Sequence, residues 1–131
     1  MIYLDTSAFM KLIWSERETV SLQRFLTERI GLPLVSSALL TVEVRRAVLR
    51  TDPTQMPRAD LLLTGIGQLG VTHAVLAAAS RLPDPSLRSL DAIHLATALL
   101  LYGYLTAVVT YDKRLATAAE GQHLPVATPI A

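Results

Sequence analysis

From Ala92 to Tyr111 the chain carries no formal charge, counting His94 as neutral, and an aspartate closes the run at each end, Asp91 before it and Asp112 after it. A run of this length spans a bilayer on length alone. Its interior argues otherwise. Gly103 lies between two tyrosines, and Val108 and Val109 are β-branched, so the segment reads as helix, turn and buried strand, with no membrane span. A carboxylate beside so apolar a stretch is costly unless it is paired, hydrogen-bonded or bound to a cation. The chain must therefore fold so that these two acids find partners.

The rest of the chain repeats the same alternation. Ile2 to Leu4 reads as a buried strand, with Thr6 or Ser7 capping a helix to about Trp14. A second helix is expected over Thr19 to Glu28, stopped by Gly31 and Pro33, then a strand over Leu34 to Ser36 and a helix from Ala38 to Arg50 capped by Ser37. Beyond Pro53 and Pro57, helices are predicted over Arg58 to Ile66 and Val75 to Leu82, with a strand at Val71 to His73 between them. Ser89 is placed to cap the helix that carries Asp91; Leu105 to Thr110 is a strand, Lys113 to Glu120 a helix, and Pro125 to Thr128 a last short strand. Strands alternating with helices predict a mostly parallel α/β sheet covered on both faces. With 131 residues, 51% of them hydrophobic, one domain covering 1–131 has enough apolar material for a substantial core.

Composition removes several functions. There is no cysteine, hence no disulfide framework and no thiolate metal site. The opening MIYLDTSAFMKL has neither the cationic start nor the long apolar stretch of a signal peptide, and together these features predict a cytoplasmic protein. Residues 65–70, GIGQLG, match the dinucleotide pattern G-x-G-x-x-G. That pattern has meaning where a strand enters and a helix leaves. Here a helix is predicted to enter and a strand to leave, so the stretch reads as a glycine-rich turn.

Four acids fall at the ends of predicted elements. Asp5 follows the first strand, and Asp112 follows the strand ending at Thr110, where open α/β sheets bind ligands. Asp91 lies in the first turn of its helix, where exposed N–H groups favour an anion. Glu43 borders the apolar stripe of Leu40, Val44, Ala47 and Val48. Taken singly, each has a plain reading as a cap, a turn residue or a partner for Arg46. Brought together, four carboxylates repel one another, and a divalent cation resolves the conflict. An all-oxygen set without Cys or a spaced His pair favours Mg2+ or Mn2+ over Zn2+. The formal net charge is +1, but eleven acids less these four leave seven against twelve basic residues, a remaining surface of about +5. An acidic pocket in a basic surface suits a phosphodiester.

The segments YLDTSAFMKL, VSSALLTVEVRRAVLR, RSLDAIHLATALL and VVTYDKRL resemble, in order, the four blocks of PIN-domain ribonucleases, and in particular the VapC-type toxins of bacterial toxin–antitoxin pairs. The resemblance implies a three-layer α/β/α sandwich with a short, mostly parallel sheet. It implies an endoribonuclease using Mg2+ or Mn2+, with RNA as substrate, a cognate antitoxin as partner and a homodimer as the assembly. Its acidic positions fall on Asp5, Glu43, Asp91 and Asp112, with Thr6, Ser7 and Thr110 as accompanying hydroxyls. Antitoxins of this family often insert an arginine at that site. Arg46, Lys113 and Arg114 flank the predicted site as contacts for RNA phosphates, as does Arg45. His94 is expected to be structural, His73 and His123 to have no catalytic role, and Phe9 and Trp14 to pack in the core. The sequence leaves two other functions open: a catalytically silent interaction module of the same fold, and a metal-dependent DNA nuclease or phosphatase using the same acids.

Overall fold

The structure is a computed structural model that describes residues 1–130. Five short strands, β1 (Ile2–Leu4), β2 (Leu34–Ser37), β3 (Gly67–Leu69), β4 (Ala107–Val109) and β5 (Val126–Ala127), form one sheet in the order β3-β2-β1-β4-β5, every pair parallel. Parallel neighbours need crossovers. These are supplied by α1 (Thr6–Met10), α2 (Thr19–Thr27), α3 (Leu39–Thr51), a 3-10 turn (Pro53–Gln55), α4 (Met56–Leu63), α5 (His73–Ser80), α6 (Ser89–Leu99) and α7 (Lys113–Gly121).

The period-2 alternation of strand side chains divides the core into two layers. Ile2 and Leu4 of β1, with Ala107 and Val109 of β4, pack against Phe9, Leu22, Leu40, Val44 and Val48 from α1, α2 and α3. Tyr3 and Val108 point the other way, onto Leu95 and Ala98 of α6 and Leu115 and Ala119 of α7. The result is the three-layer α/β/α sandwich. Among the described residues no helix is long and apolar enough to cross a membrane.

Four local expectations are corrected. The third strand is Gly67–Leu69 and not Val71 to His73, because Thr72 serves as the cap of α5, its hydroxyl accepting from the Val75 N–H at 3.1 Å. GIGQLG is accordingly the end of a helical segment running into β3, the reverse of a dinucleotide loop. Helix α1 stops at Met10 and is capped by Asp5, not by Thr6 or Ser7. Ser89 begins α6 from inside; Arg88 holds the N-cap position without a side-chain bond.

The strand order reverses at β1. Chain order runs outward through β2 and β3, then returns to the opposite side of β1 for β4 and β5. The crevice beyond the carboxyl ends of β1 and β4 is therefore the switch point where an open α/β sheet takes a ligand.

Candidate active site

Asp5 stands at that crevice. Register pairs Leu4 with Val109, so Asp5 and Thr110 are the next residues out on adjacent strands. The Asp5 N–H donates to the Val109 carbonyl at 3.2 Å, and the Thr110 hydroxyl donates to Asp5 Oδ2 at 2.6 Å. Oδ1 accepts from the Ser7 hydroxyl at 2.7 Å and the Ala8 N–H at 2.9 Å. Asp5 is only 3% exposed. Burial pushes its carboxyl above the ordinary range, outweighing the bonds from Thr110, Ala8 and Ser7 that favour the anion.

Asp112 is tied to the same cluster through its backbone, whose N–H donates to Thr110 Oγ1 at 3.0 Å. Its side chain caps α7, Oδ1 accepting from the N–H groups of Arg114 at 2.9 Å and Leu115 at 3.1 Å. Oδ2 is turned toward Arg88, whose Nη2 is 3.9 Å away while its Nε lies 3.8 Å from Asp91 Oδ2. A guanidinium thus already sits between these two carboxylates. Half-burial followed by the negative charge of Asp112 raises the Asp91 carboxyl, with Arg88 pulling it down.

Glu43 reaches in from α3. Its Oε1 accepts from the Thr6 hydroxyl at 2.9 Å and lies 2.7 Å from His94 Nε2. Burial raises this carboxyl, but His94 and Thr6 outweigh it and hold Glu43 below the ordinary glutamate range. Pairing of Glu43 with Arg46, the plain alternative, does not occur. Arg46 instead lines, with Thr6, Val42, Glu43, Ala47, Arg50 and Leu90, a cavity of about 340 Å³ that opens beside the acids. Lys113 and Arg114 are exposed at the start of α7. Arg45 points elsewhere, bonded to Asp60.

Asp5 and Asp112 are thus joined through Ser7 and Thr110, Glu43 is joined to Thr6 and His94, and Asp91 meets Asp112 across Arg88. They do not form a closed cage: among the described residues no three acidic or imidazole side chains stand close enough to hold a metal. The reason is local. Asp5 is held by three donors, Asp112 by its own helix and Glu43 by His94. In chemical kind the set still suits a hard divalent cation, because its donors are carboxylate oxygens and the Asp91–Asp112 pair already draws a cationic group between them.

Three residues that sequence reasoning did not place beside the acids stand there. Tyr3, His94 and Arg88 touch the acids or their partners. The signal for Arg88 was present in its i,i+3 spacing to Asp91. Tyr3 and His94 meet across 91 positions of sequence, and nothing local announces that.

A family model described as PIN domain matches residues 2–121. The chain belongs to the PIN-domain family. This PIN domain is 43% identical over 131 residues to Ribonuclease VapC35 of Mycobacterium tuberculosis, covering 98% of this chain and 97% of that one. It is also 43% identical over 132 residues to Ribonuclease VapC47 of the same organism, with the same coverage. Among solved structures, it superposes with a TM-score of 0.75 on a toxin–antitoxin complex from Klebsiella pneumoniae at 22% identity, covering 98% of each chain. The TM-score is 0.71 with Mycobacterium tuberculosis VapC20, a Sarcin-Ricin loop cleaving toxin, at 17% identity, covering 90% of this chain and 95% of that one. At such identities the structural likeness establishes the PIN fold.

Proposed function

We propose that this PIN domain is a divalent-metal-dependent endoribonuclease acting as the toxin of a toxin–antitoxin pair. What supports the reading is that Asp5 and Asp112 follow β1 and β4 at the switch point, with Glu43 supplied from α3 and Asp91 from α6, in a chain whose relatives are named ribonucleases. The residues that would hold Mg2+ or Mn2+ are those four. Bound there, the cation supplies charge neutralisation at the phosphate and lowers the pKa of an attacking water.

The chain's own groups do the rest. Thr110, Ser7 and the Ala8 N–H fix the Asp5 carboxylate in one orientation, which spares it from reorganising when substrate arrives. Arg46, Lys113 and Arg114 supply exposed positive charge to neighbouring phosphates, a contact that positions the strand without reading its sequence. The 340 Å³ cavity between Glu43 and Arg50 gives the nucleotide beside the scissile bond a place to lie. An antitoxin and a second copy of the chain are the proposed partners, and the cytoplasm the proposed location.

The test uses matched RNA and DNA oligonucleotides with Mg2+, Mn2+ or EDTA. Cleavage of RNA alone, abolished by EDTA, is expected. Cleavage of DNA in preference would move the reading to a DNA nuclease, and no cleavage of either under any metal would leave an interaction module.

A further inference from the structure

We propose that Tyr3 and His94 form a buried relay that positions Glu43, with Tyr3 fixing His94 as the Nε2–H tautomer. The role at Glu43 rests on the metal-dependent reading above; the tautomer does not.

The donor and acceptor count leads there. His94 Nε2 is 2.7 Å from Glu43 Oε1, and Nδ1 is 2.7 Å from the Tyr3 hydroxyl. A carboxylate only accepts, so across the 2.7 Å contact Nε2 must carry the hydrogen. In a neutral imidazole that leaves Nδ1 a bare acceptor. The Tyr3 hydroxyl then donates to it across 2.7 Å. Tyr3 and His94 are 1% and 2% exposed, so water cannot take over either bond. The rings meet edge to face, 5.9 Å between centroids and 86° between planes, which fixes the imidazole plane as well.

The arrangement makes the two oxygens of Glu43 unequal. Oε1 is engaged by both His94 and Thr6. No hydrogen bond to Oε2 is found among the described residues, so the relay leaves it as the oxygen open to the site. The relay is also anchored well: Tyr3 lies in β1, the central strand, flanked by β2 and β4. His94 comes from the α6 layer and Glu43 from the α3 layer, so the chain of bonds joins the two helical layers over the sheet edge. Partners that orient a metal ligand typically change metal affinity by about 10–100-fold when removed.

A plain staple between α6 and α3 would use the same contacts, and the test must separate the two. In metal-free wild-type protein, long-range 1H–15N spectra of the imidazole should show a single Nε2–H tautomer, and Tyr3→Phe should lose that singularity while keeping the ring packing. Mn2+ titrated alone by calorimetry should bind about 10–100-fold more weakly to His94→Leu. His94→Gln, which retains an N–H donor toward Glu43, should recover most of the affinity. Recovery by Gln is the outcome a staple does not require. An Nδ1–H tautomer in the wild type, or Mn2+ affinity within twofold of wild type in His94→Leu, would overturn the proposal. Should His94→Leu not fold, Tyr3→Phe is expected to bind Mn2+ more weakly than wild type, and equal affinity in those two would overturn the proposal instead. If the wild type neither binds Mn2+ nor cleaves RNA, the nuclease reading falls, and the spectra still show separately whether the tautomer is the one inferred.

Discussion

Asp5 and Glu43 show how two carboxylates in one site are driven in opposite directions. Burial of Asp5 raises its carboxyl above the ordinary 3.8. The folded state then binds the proton more tightly than the unfolded one, so the associated stability is complete below pH 3.8 and is lost as pH rises through the folded value. Glu43, held below the ordinary 4.5 by His94 and Thr6 against its burial, contributes stability above pH 4.5 that is lost as pH falls through its folded value. Asp5→Asn is therefore expected to match or exceed the wild type in metal-free urea unfolding at pH 7, whereas Glu43→Gln should be the less stable protein at that pH. Both should lose cleavage by roughly 100-fold or more, since each removes charge stabilisation worth several kcal/mol. A Glu43→Gln protein more stable than wild type at pH 7 would contradict the His94 contact. At this scale the acids were legible because each ends an apolar run or borders an apolar stripe. His94 and Tyr3 were not: a buried histidine among alanines and leucines looks structural until its two distant partners are seen.

Elements were read best where apolar period and punctuation agreed. β1, α3 and α7 fall within a few residues of expectation. β3 did not, because Thr72 is equally suited to a strand or a cap and the cap prevails. Helix α7 offers a clean separation of roles. Asp112 caps it with Oδ1 and faces Arg88 with Oδ2. Asparagine caps about as well as aspartate, whereas alanine costs about 1 kcal/mol at such a position. Asp112→Asn should thus keep the wild-type melting temperature within a few degrees and lose cleavage, while Asp112→Ala loses both. Full cleavage by Asp112→Asn would reduce Asp112 to a cap. The turn after α6 depends on Gly103 at φ 89°, with nothing within 4 Å of where a Cβ would stand. Gly103→Ala should cost about 1–2 kcal/mol in urea unfolding from backbone conformation alone.

For the whole molecule, the two-layer core absorbs most of the apolar composition but not all of it. Phe9 is fully buried and Trp14 packs partly buried against the same core. Ile30, Leu61 and Tyr104 are each more than two-thirds exposed, and association would cover such surface. Sedimentation velocity at micromolar concentration is expected to show a homodimer; a monomer throughout would count against it. Arg88, standing between Asp91 and Asp112, also suggests how a partner's arginine would act. It would compete with the cation for the same carboxylates, so inhibition by an antitoxin should weaken as Mg2+ rises at constant ionic strength; inhibition indifferent to Mg2+ would indicate simple occlusion. The parallel sheet has one more consequence, in the order of events during synthesis. β1 is made first and sits in the middle, yet its second neighbour, β4, is not encoded until residue 107. Until Thr110 has left the ribosome, the Asp5 carboxylate lacks the hydroxyl that holds Oδ2, and the central strand has one free edge. A nascent chain carrying Asp5, Glu43 and Asp91 is thus still without a finished crevice, and the site closes only after β4 has emerged and paired with β1.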